Sequence, residues 1–159
     1  MLCAVVGIYV AHVQSAGVLL KVGAQAPDFS GKAGDKSVTL SQIASGESVV
    51  LVFYPMDDTA VCTSQLCALR DSYAELSARH CTVLGINPAG ADSHTRFANK
   101  YNFPFPLVTD TGGRIAEEYG CSGLFGLNRR TVYVVGKDRK VLFAERGKPA
   151  VSEILSALR

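Results

Sequence analysis

Two cysteines, Cys62 and Cys67, stand where thiol chemistry is possible, directly after an apolar run that ends at Pro55. The pattern predicts a loop after Pro55 and then a helix that begins near Cys62. A thiol at a helix N-terminus faces unpaired backbone N–H groups and the positive end of the helix dipole, which stabilise the thiolate over the thiol. Thr59 can place its hydroxyl near the same sulfur. These residues predict that Cys62 is reactive; the alternative is a buried structural cysteine.

The spacing of Cys62 and Cys67 predicts a conformational change if the two are ever joined. Five helical residues give a rise of about 7.5 Å and a rotation of about 140°, which places the two Cα atoms about 8.7 Å apart. A disulfide requires less than about 7 Å. The two cysteines can therefore bond only if the first turns of the helix unwind, so the helix would be packed when reduced and locally unfolded when oxidised.

Composition excludes several other classes of protein. The chain has 159 residues, 48% apolar and 19% charged, with a net charge of +2, which fits one domain with a buried core. The mild charge and the lack of a Lys/Arg run predict no nucleic-acid partner. An odd count of five cysteines argues against a disulfide-stapled secreted miniprotein. The cysteines form no CxxC pair and the histidines show no ligand spacing, so no metal site is predicted.

Strand-like and helix-like segments alternate along the chain and must position Cys62. The apolar run at residues 48–54 predicts a strand buried on both faces. Further strands are predicted at 81–86, 105–108, 131–135 and 140–144, the last two as a hairpin. Helices are predicted from 62 to 76, from 92 with Asp92 as N-cap to 101, at 113–119 and at 151–158. Residues 23–34 are predicted to be irregular, and 37–43 to form a strand end and a helical turn. The order predicts an α/β fold, a mixed sheet with helices on both faces.

The first twenty residues are set apart because they contain no Asp, Glu, Lys or Arg. We interpret residues 1–20 as an apolar N-terminal extension and residues 21–159 as a single domain. A secretory signal would need a basic n-region, which is missing, although Ser15-Ala16-Gly17 resembles a cleavage pattern. A membrane span is disfavoured because His12, Gln14 and Ser15 interrupt the stretch. The chain is therefore expected in the cytoplasm without stable membrane association, with export as the alternative.

The run around Cys62 resembles a known active-site signature. Pro55-x-x-x-Thr59-x-x-Cys62 matches that of the peroxiredoxins, and the longer run resembles the Q-type, or bacterioferritin-comigratory-protein, subfamily. The subfamily pattern FYPxDxTxxCTxxxCxxRD is met at Phe53, Tyr54, Pro55, Asp57, Thr59, Cys62, Thr63, Cys67, Arg70 and Asp71. The similarity extends from about Val22 to the C-terminus. It includes residues 26–29, 84–88, 93–94, 103–106, 110 and 119–120, and the strand that carries Arg130.

The resemblance implies a thioredoxin-like fold and the reduction of hydrogen peroxide and organic hydroperoxides by thiol chemistry. Cys62 would attack the O–O bond and become a sulfenic acid, which Cys67 would resolve as an intramolecular disulfide. Thioredoxin or a similar dithiol would restore the thiols. Thr59 would bind the thiolate and the peroxide. No metal, haem or flavin cofactor is implied, and a monomer suffices.

Two further residues complete the implied site. Arg130 would stabilise the thiolate and polarise the peroxide, together with the backbone N–H of Cys62. We choose Arg130 over its neighbour Arg129 because of its spacing to Tyr133. Pro55 would shield the sulfur from bulk water. Cys81 and Cys121 are interpreted as buried or incidental, each kept as an alternative resolving thiol.

Departures from the family pattern leave every reacting group in place. Met56 stands where a lysine is common, and Ala60-Val61 replaces the usual Pro-Gly. Gln65 stands where a glutamate is usual, which removes a negative charge one turn from Cys62. Asp57 and Asp58 are expected to serve the loop, and His94 to be a packing or hydrogen-bonding residue.

Two other functions remain open on the sequence alone. A thiol–disulfide oxidoreductase of thioredoxin type would use CxxC, which is absent. A non-enzymatic redox sensor or holdase would use oxidation of Cys62 to change a binding surface.

Overall fold

The structure, a computed structural model, describes residues 17–158. The predicted extension at residues 1–20 therefore lies mostly outside the described residues, and so does Cys3. The interpretation of residues 21–159 as a single domain stays a prediction.

A seven-stranded mixed sheet forms the centre of the fold. Its strands are β1 (Ser30–Ala33), β2 (Lys36–Thr39), β3 (Ser48–Phe53), β4 (Cys81–Asn87), β5 (Leu107–Thr109), β6 (Thr131–Val135) and β7 (Val141–Arg146). The strand order is β2-β1-β5-β4-β3-β6-β7. Strand β3 pairs in parallel with β4 and antiparallel with β6, and β6 and β7 form the predicted hairpin.

Helices cover both faces of this sheet, as the order of elements predicts. They are α1 (Leu40–Ala44), α2 (Ala60–Asp71), α3 (Tyr73–Ala78), α4 (Ala91–Tyr101), α5 (Arg114–Glu118) and α6 (Val151–Ala157). Helices α1 and α5 pack into the core on one face, and α2, α3, α4 and α6 into the core on the other. None of the helices within residues 17–158 is both long and apolar enough to cross a membrane.

Strand β3 is buried on both faces because it lies between two other strands and under both helical layers. Successive side chains of a strand point to opposite faces. Val49 and Leu51 accordingly enter one core, and Val50 and Val52 enter the other. Burying an aliphatic side chain of this size stabilises the folded state by roughly 1.5–3 kcal/mol. This rigid strand leads directly to Pro55 and the predicted reactive cysteine.

The strand β1 was not predicted, because it lies in the glycine-rich segment 23–34. Gly31 is part of this strand, and a Cβ atom there would lie 2.5 Å from Cγ1 of Val108 on β5. The glycine therefore permits close approach of another strand. Strand β5, predicted at residues 105–108, begins two residues later than predicted for a different reason. Pro106 has no N–H to donate, and β5 begins only after it, at Leu107.

Two helix boundaries also differ from the prediction. The α4 helix has Gly90 as N-cap, and Asp92 lies in its first turn. An acidic residue is favourable at either position, so residue type alone does not separate them. The helix predicted from Cys62 to Leu76 is interrupted at Ser72, whose φ of −100° and ψ of 7° lie outside the helical range. Asp71 and Ser72 are both weak helix formers.

Candidate active site

The pairing of β3 with β6 brings two distant parts of the chain together. Phe53, the last residue of β3, is paired with Thr131, the first residue of β6. Arg130 therefore precedes β6 at the same edge of the sheet where the chain leaves β3 and enters the loop before α2. This register places a cation beside the first turn of α2.

Cys62 lies in that first turn, as the third residue of α2. Thr59 is the N-cap residue, with an extended backbone (φ −98°, ψ 154°), and its carbonyl accepts a 2.8 Å hydrogen bond from the N–H of Thr63. The backbone N–H groups of the first turn are those that a helix leaves without internal partners. Cys62 is also only 1% exposed, so its sulfur is buried at this end of the helix.

The guanidinium of Arg130 contacts this sulfur directly. Its Nη2 donates to Sγ of Cys62 at 3.1 Å, and its Nη1 donates to Oε1 of Gln65 at 2.7 Å. Gln65 is 3% exposed and lies one helical turn after Cys62. Arg130 is thus held between two residues of the same helix face, with one donor directed at the sulfur.

A second set of contacts fixes the backbone of Arg130. Its carbonyl accepts a 2.8 Å hydrogen bond from the N–H of Gly147, the residue that follows β7. The carbonyl of Gly147 in turn accepts a 3.4 Å hydrogen bond from Nε2 of Gln65. Arg130, Gln65 and Gly147 therefore form a closed ring of contacts, and side-chain order of this kind holds the guanidinium in place.

The remaining predicted site residues lie in the loop before α2. Pro55 is half-buried and follows β3 with one residue between. The hydroxyl of Thr59 donates to the carbonyl of Met56 at 3.3 Å. Arg129, the neighbour of Arg130, is exposed and donates to the carbonyl of Gly17.

The other described cysteines are free thiols in contrasting environments. Cys67 is half-buried and belongs to the same helix as Cys62, so the helical spacing expected from the sequence holds. Burial raises the pKa of Cys81 to about 12 and that of Cys121 to about 11. Cys81 begins β4 at the opposite edge of the sheet, since it pairs with Ser48, and Cys121 belongs to the core on the other face.

Asp57 anchors the loop through a buried polar cluster. Its carboxylate contacts four side chains, with distances of 2.7 Å to the hydroxyls of Tyr54 and Ser93, 2.8 Å to Nδ1 of His94 and 2.9 Å to Nδ2 of Asn87. Burial opposes the charge of Asp57, but the hydrogen bonds from His94, Tyr54 and Ser93 outweigh it and lower its pKa to about 2. The cluster ties the loop to β4 and α4.

Asp58 makes a separate contact with α4. Both of its carboxylate oxygens accept hydrogen bonds from Nζ of Lys100, at 3.0 and 2.8 Å, and one accepts from the hydroxyl of Tyr101. Both aspartates therefore serve the loop, as expected from the sequence, and the loop is fixed up to the residue before Thr59.

The Asp57 cluster predicts a loss of stability in acid. The Asp57 pKa rises from about 2 in the folded state to about 3.8 on unfolding, so its contribution to stability is complete above about pH 5 and is lost progressively as the pH falls through about 2. With a side chain 6% exposed, this amounts to about 2 kcal/mol. Urea unfolding of wild type and of Asp57→Asn should show the variant losing about 2 kcal/mol less between about pH 6 and about pH 2.

Asp58→Asn is the matched control for this measurement. Its carboxylate is exposed and its ion pair is screened by solvent, so a much smaller change is expected. Equal acid dependence of wild type and Asp57→Asn would contradict the role given to the cluster.

Sequence reasoning missed two features of this site. Gln65 was noted only as a departure from a pattern, although its position one turn after Cys62 placed it on the same helix face. The cluster around Asp57 joins residues from three separate elements, so no local spacing in the sequence indicates it.

Residues 17–158 contain no group of three or more His, Cys, Asp or Glu side chains that could hold a metal ion.

Comparison with known protein families and sequences gives a consistent result. Residues 22–144 match the AhpC/TSA family. The chain is 45% identical over 118 residues to the chloroplastic peroxiredoxin Q of Triticum aestivum, covering 72% of this chain and 54% of that protein. It is 41% identical over 119 residues to the chloroplastic peroxiredoxin Q of Sedum lineare, covering 73% and 63%. The chain thus spans about half to two thirds of the length of these curated relatives.

Comparison with solved structures supports both the fold and the family. The chain is similar to peroxidoxin BcpB from Mycobacterium tuberculosis, with a TM-score of 0.82 and 31% identity over 88% of this chain and 97% of that one. A PrxQ mutant from Xylella fastidiosa has a TM-score of 0.81 at 22% identity, covering 89% and 97%, which shows the shared thioredoxin-like fold. The chain belongs to the AhpC/TSA family, and within it to the Q-type peroxiredoxins.

Proposed function

We propose that this chain is a thiol-dependent peroxidase that reduces hydrogen peroxide and organic hydroperoxides. Cys62 is the nucleophile. The proposal is supported by the position of Cys62 in the first turn of α2, by the Arg130 donor on its sulfur and by membership of the family. No other described thiol combines a helix N-terminus with a cation.

In the first step the Cys62 thiolate attacks the terminal oxygen of the hydroperoxide. The S–O bond forms as the O–O bond breaks, and the leaving oxygen takes up a proton and departs as an alcohol or water. Sulfur is oxidised to the sulfenic acid and the peroxide is reduced. Negative charge moves from sulfur to the leaving oxygen, so a fixed guanidinium such as that of Arg130 stabilises the transition state.

In the second step Cys67 resolves the sulfenic acid. Its sulfur attacks that of Cys62, hydroxide leaves and becomes water, and an intramolecular disulfide forms. The helical Cα separation of about 8.7 Å requires α2 to unwind locally before this bond can form. Thioredoxin or a similar dithiol then restores both thiols by exchange and is itself oxidised.

Three further groups act around the sulfur in this proposal. Thr59 turns its hydroxyl from the carbonyl of Met56 to the thiolate and the peroxide. The backbone N–H of Cys62 is a second donor at the same point. Pro55, half-buried in the loop that follows β3, shields the sulfur from bulk water.

We also propose that the protein is a monomer and is located in the cytoplasm. A disulfide within one chain needs no second copy, which favours a monomer. We place the protein in the cytoplasm, with export as the alternative; residues 1–16, which bear on that choice, lie outside the described residues. Both curated relatives compared above are named as chloroplastic.

The observation that carries the proposal is the 3.1 Å contact between Nη2 of Arg130 and Sγ of Cys62. Arg130→Met should lower the second-order rate constant for Cys62 oxidation by about 10²–10³, the loss found when one transition-state donor is removed. Stopped-flow oxidation by hydrogen peroxide measures this constant.

Arg129→Met is the matched control because Arg129 is exposed and lies away from the sulfur. Its rate constant should stay within about twofold of wild type, as expected for a surface substitution. Equal losses in the two variants would show that overall charge, and not the contact with Cys62, sets the rate.

A further inference from the structure

The residue that holds Arg130 is uncharged. The Oε1 atom of Gln65 accepts from Arg130 at 2.7 Å, and this orientation of the amide is fixed because a guanidinium can only donate. A glutamate in the same place would accept the same hydrogen bond and neutralise the cation. Gln65 therefore keeps Arg130 in position without adding a negative charge, and in the proposed peroxidase the Cys62 thiolate is the anion that Arg130 contacts.

The surroundings do not restore the missing negative charge. Within residues 17–158, no carboxylate lies within 4.0 Å of the Arg130 guanidinium, since every ion pair there involves another cation. The two carboxylates that most closely precede Cys62 in the sequence are already engaged elsewhere. Asp58 accepts hydrogen bonds from Lys100 and Tyr101, and Asp57 is surrounded by four hydrogen-bonding side chains.

A second cation lies beside the same helix. Nζ of Lys148 donates to Oγ of Ser64 on α2 at 2.6 Å. Lys148 is exposed and directly follows Gly147, the partner of Gln65. The first turns of α2 thus contact a half-buried arginine at the Cys62 sulfur and an exposed lysine at Ser64.

We infer that Gln65 and Lys148 make this site select hydroperoxides that carry a carboxylate close to the peroxide group. The inference rests on the proposed peroxidase and names its substrate class. With Arg130 balanced by the Cys62 thiolate and no carboxylate at position 65, Lys148 leaves an excess of positive charge around the first turns of α2. Such an excess attracts anions and raises their rate of encounter. The carboxylate itself is not changed: the S–O bond forms, the O–O bond breaks, and the hydroxy acid leaves after taking up one proton.

Two hydroperoxides that differ only in one substituent, a methyl group or a carboxylate, test this preference. In tert-butyl hydroperoxide one methyl group can be replaced by a carboxylate, which gives 2-hydroperoxy-2-methylpropanoate. The ratio of their second-order rate constants for Cys62 oxidation removes any effect shared by both substrates. In wild type we expect the carboxylate to react about tenfold faster at about 10 mM salt and at nearly the same rate at about 0.5 M.

Three variants assign the preference to residues. Gln65→Glu is isosteric, and its added charge should lower the low-salt ratio by about tenfold. Lys148→Gln should lower the ratio by about two- to threefold, because this cation is exposed. Lys137→Gln is the control, since Lys137 lies in the β6–β7 turn at the opposite edge of the sheet, and its ratio should equal that of wild type.

A wild-type ratio of one at low salt, or an unchanged ratio in both Gln65→Glu and Lys148→Gln, would overturn the inference while leaving the peroxidase intact. Lys148→Gln keeps the test decisive if a buried glutamate at position 65 impairs folding. If neither hydroperoxide oxidises Cys62 in wild type, the proposed function itself fails.

Discussion

Cys62→Ser will react with peroxide no faster than free cysteine does. A serine hydroxyl does not ionise near neutral pH, so the Arg130 donor and the helix N-terminus would have no anion to stabilise. Cys81 and Cys121 cannot replace it, because burial raises their pKa to about 12 and about 11. The measurement is peroxide consumption with a thioredoxin-type donor in excess, alongside stopped-flow oxidation of the protein.

Cys81→Ala is the control for this loss. Cys81 is at the start of β4, while Cys62 follows the far end of β3, and a six-residue strand separates the two edges by about 17 Å. Its rate constant should therefore match that of wild type. Full activity in Cys62→Ser would exclude Cys62 as the nucleophile, and a loss confined to Cys81→Ala would assign that role to Cys81.

Cys67→Ser will consume one equivalent of peroxide and then stop. The contact between Arg130 and Cys62 is untouched, so the first oxidation should proceed at nearly the wild-type rate. Without the second thiol the sulfenic acid has no partner on α2, and a thioredoxin-type donor should restore it poorly. Steady-state turnover should fall to near zero while the initial burst remains.

Intact mass with thiol mapping after one equivalent of hydrogen peroxide separates the two steps. Wild type should lose two hydrogens at a Cys62–Cys67 bridge that thioredoxin reverses, and Cys67→Ser should gain one oxygen at Cys62. A bridge from Cys62 to Cys81 or Cys121 would assign the resolving step to another residue. Amide exchange should become faster across the first turns of α2 in oxidised wild type only, because only there must the helix unwind.

The elements that carry the site were predictable because each has a local pattern. The β-branched run of β3 and the apolar face of α2 fix the strand, the loop and the helix that present Cys62. The fold class followed from the order of elements, and the family from the signature around Cys62. Strand β1 was missed because Gly31, needed for the approach of Val108, weakens the strand pattern.

Contacts between distant parts of the chain were not predictable. The hydrogen bonds from Arg130 to Gln65 and from Gln65 to Gly147 depend on the register of β6 and β7. No short segment of the sequence includes both partners of either bond, so no local pattern indicates them. The contacts of Asp57 with Asn87 and His94 likewise join a loop, a strand end and a helix. Such contacts are set by tertiary packing, so residue type suggests them but does not locate them.

The pairing of β3 with β6 also determines the stage of folding at which Arg130 reaches Cys62. Cys62 and Arg130 are 68 residues apart in sequence and meet only after those strands have paired. Contacts with long sequence separation form slowly, because the entropy of closing the intervening loop opposes them. An unfolded or still-growing chain therefore carries Cys62 as an ordinary cysteine. In the proposed peroxidase, the rate at which Cys62 is oxidised thus reports whether the protein has reached its native state.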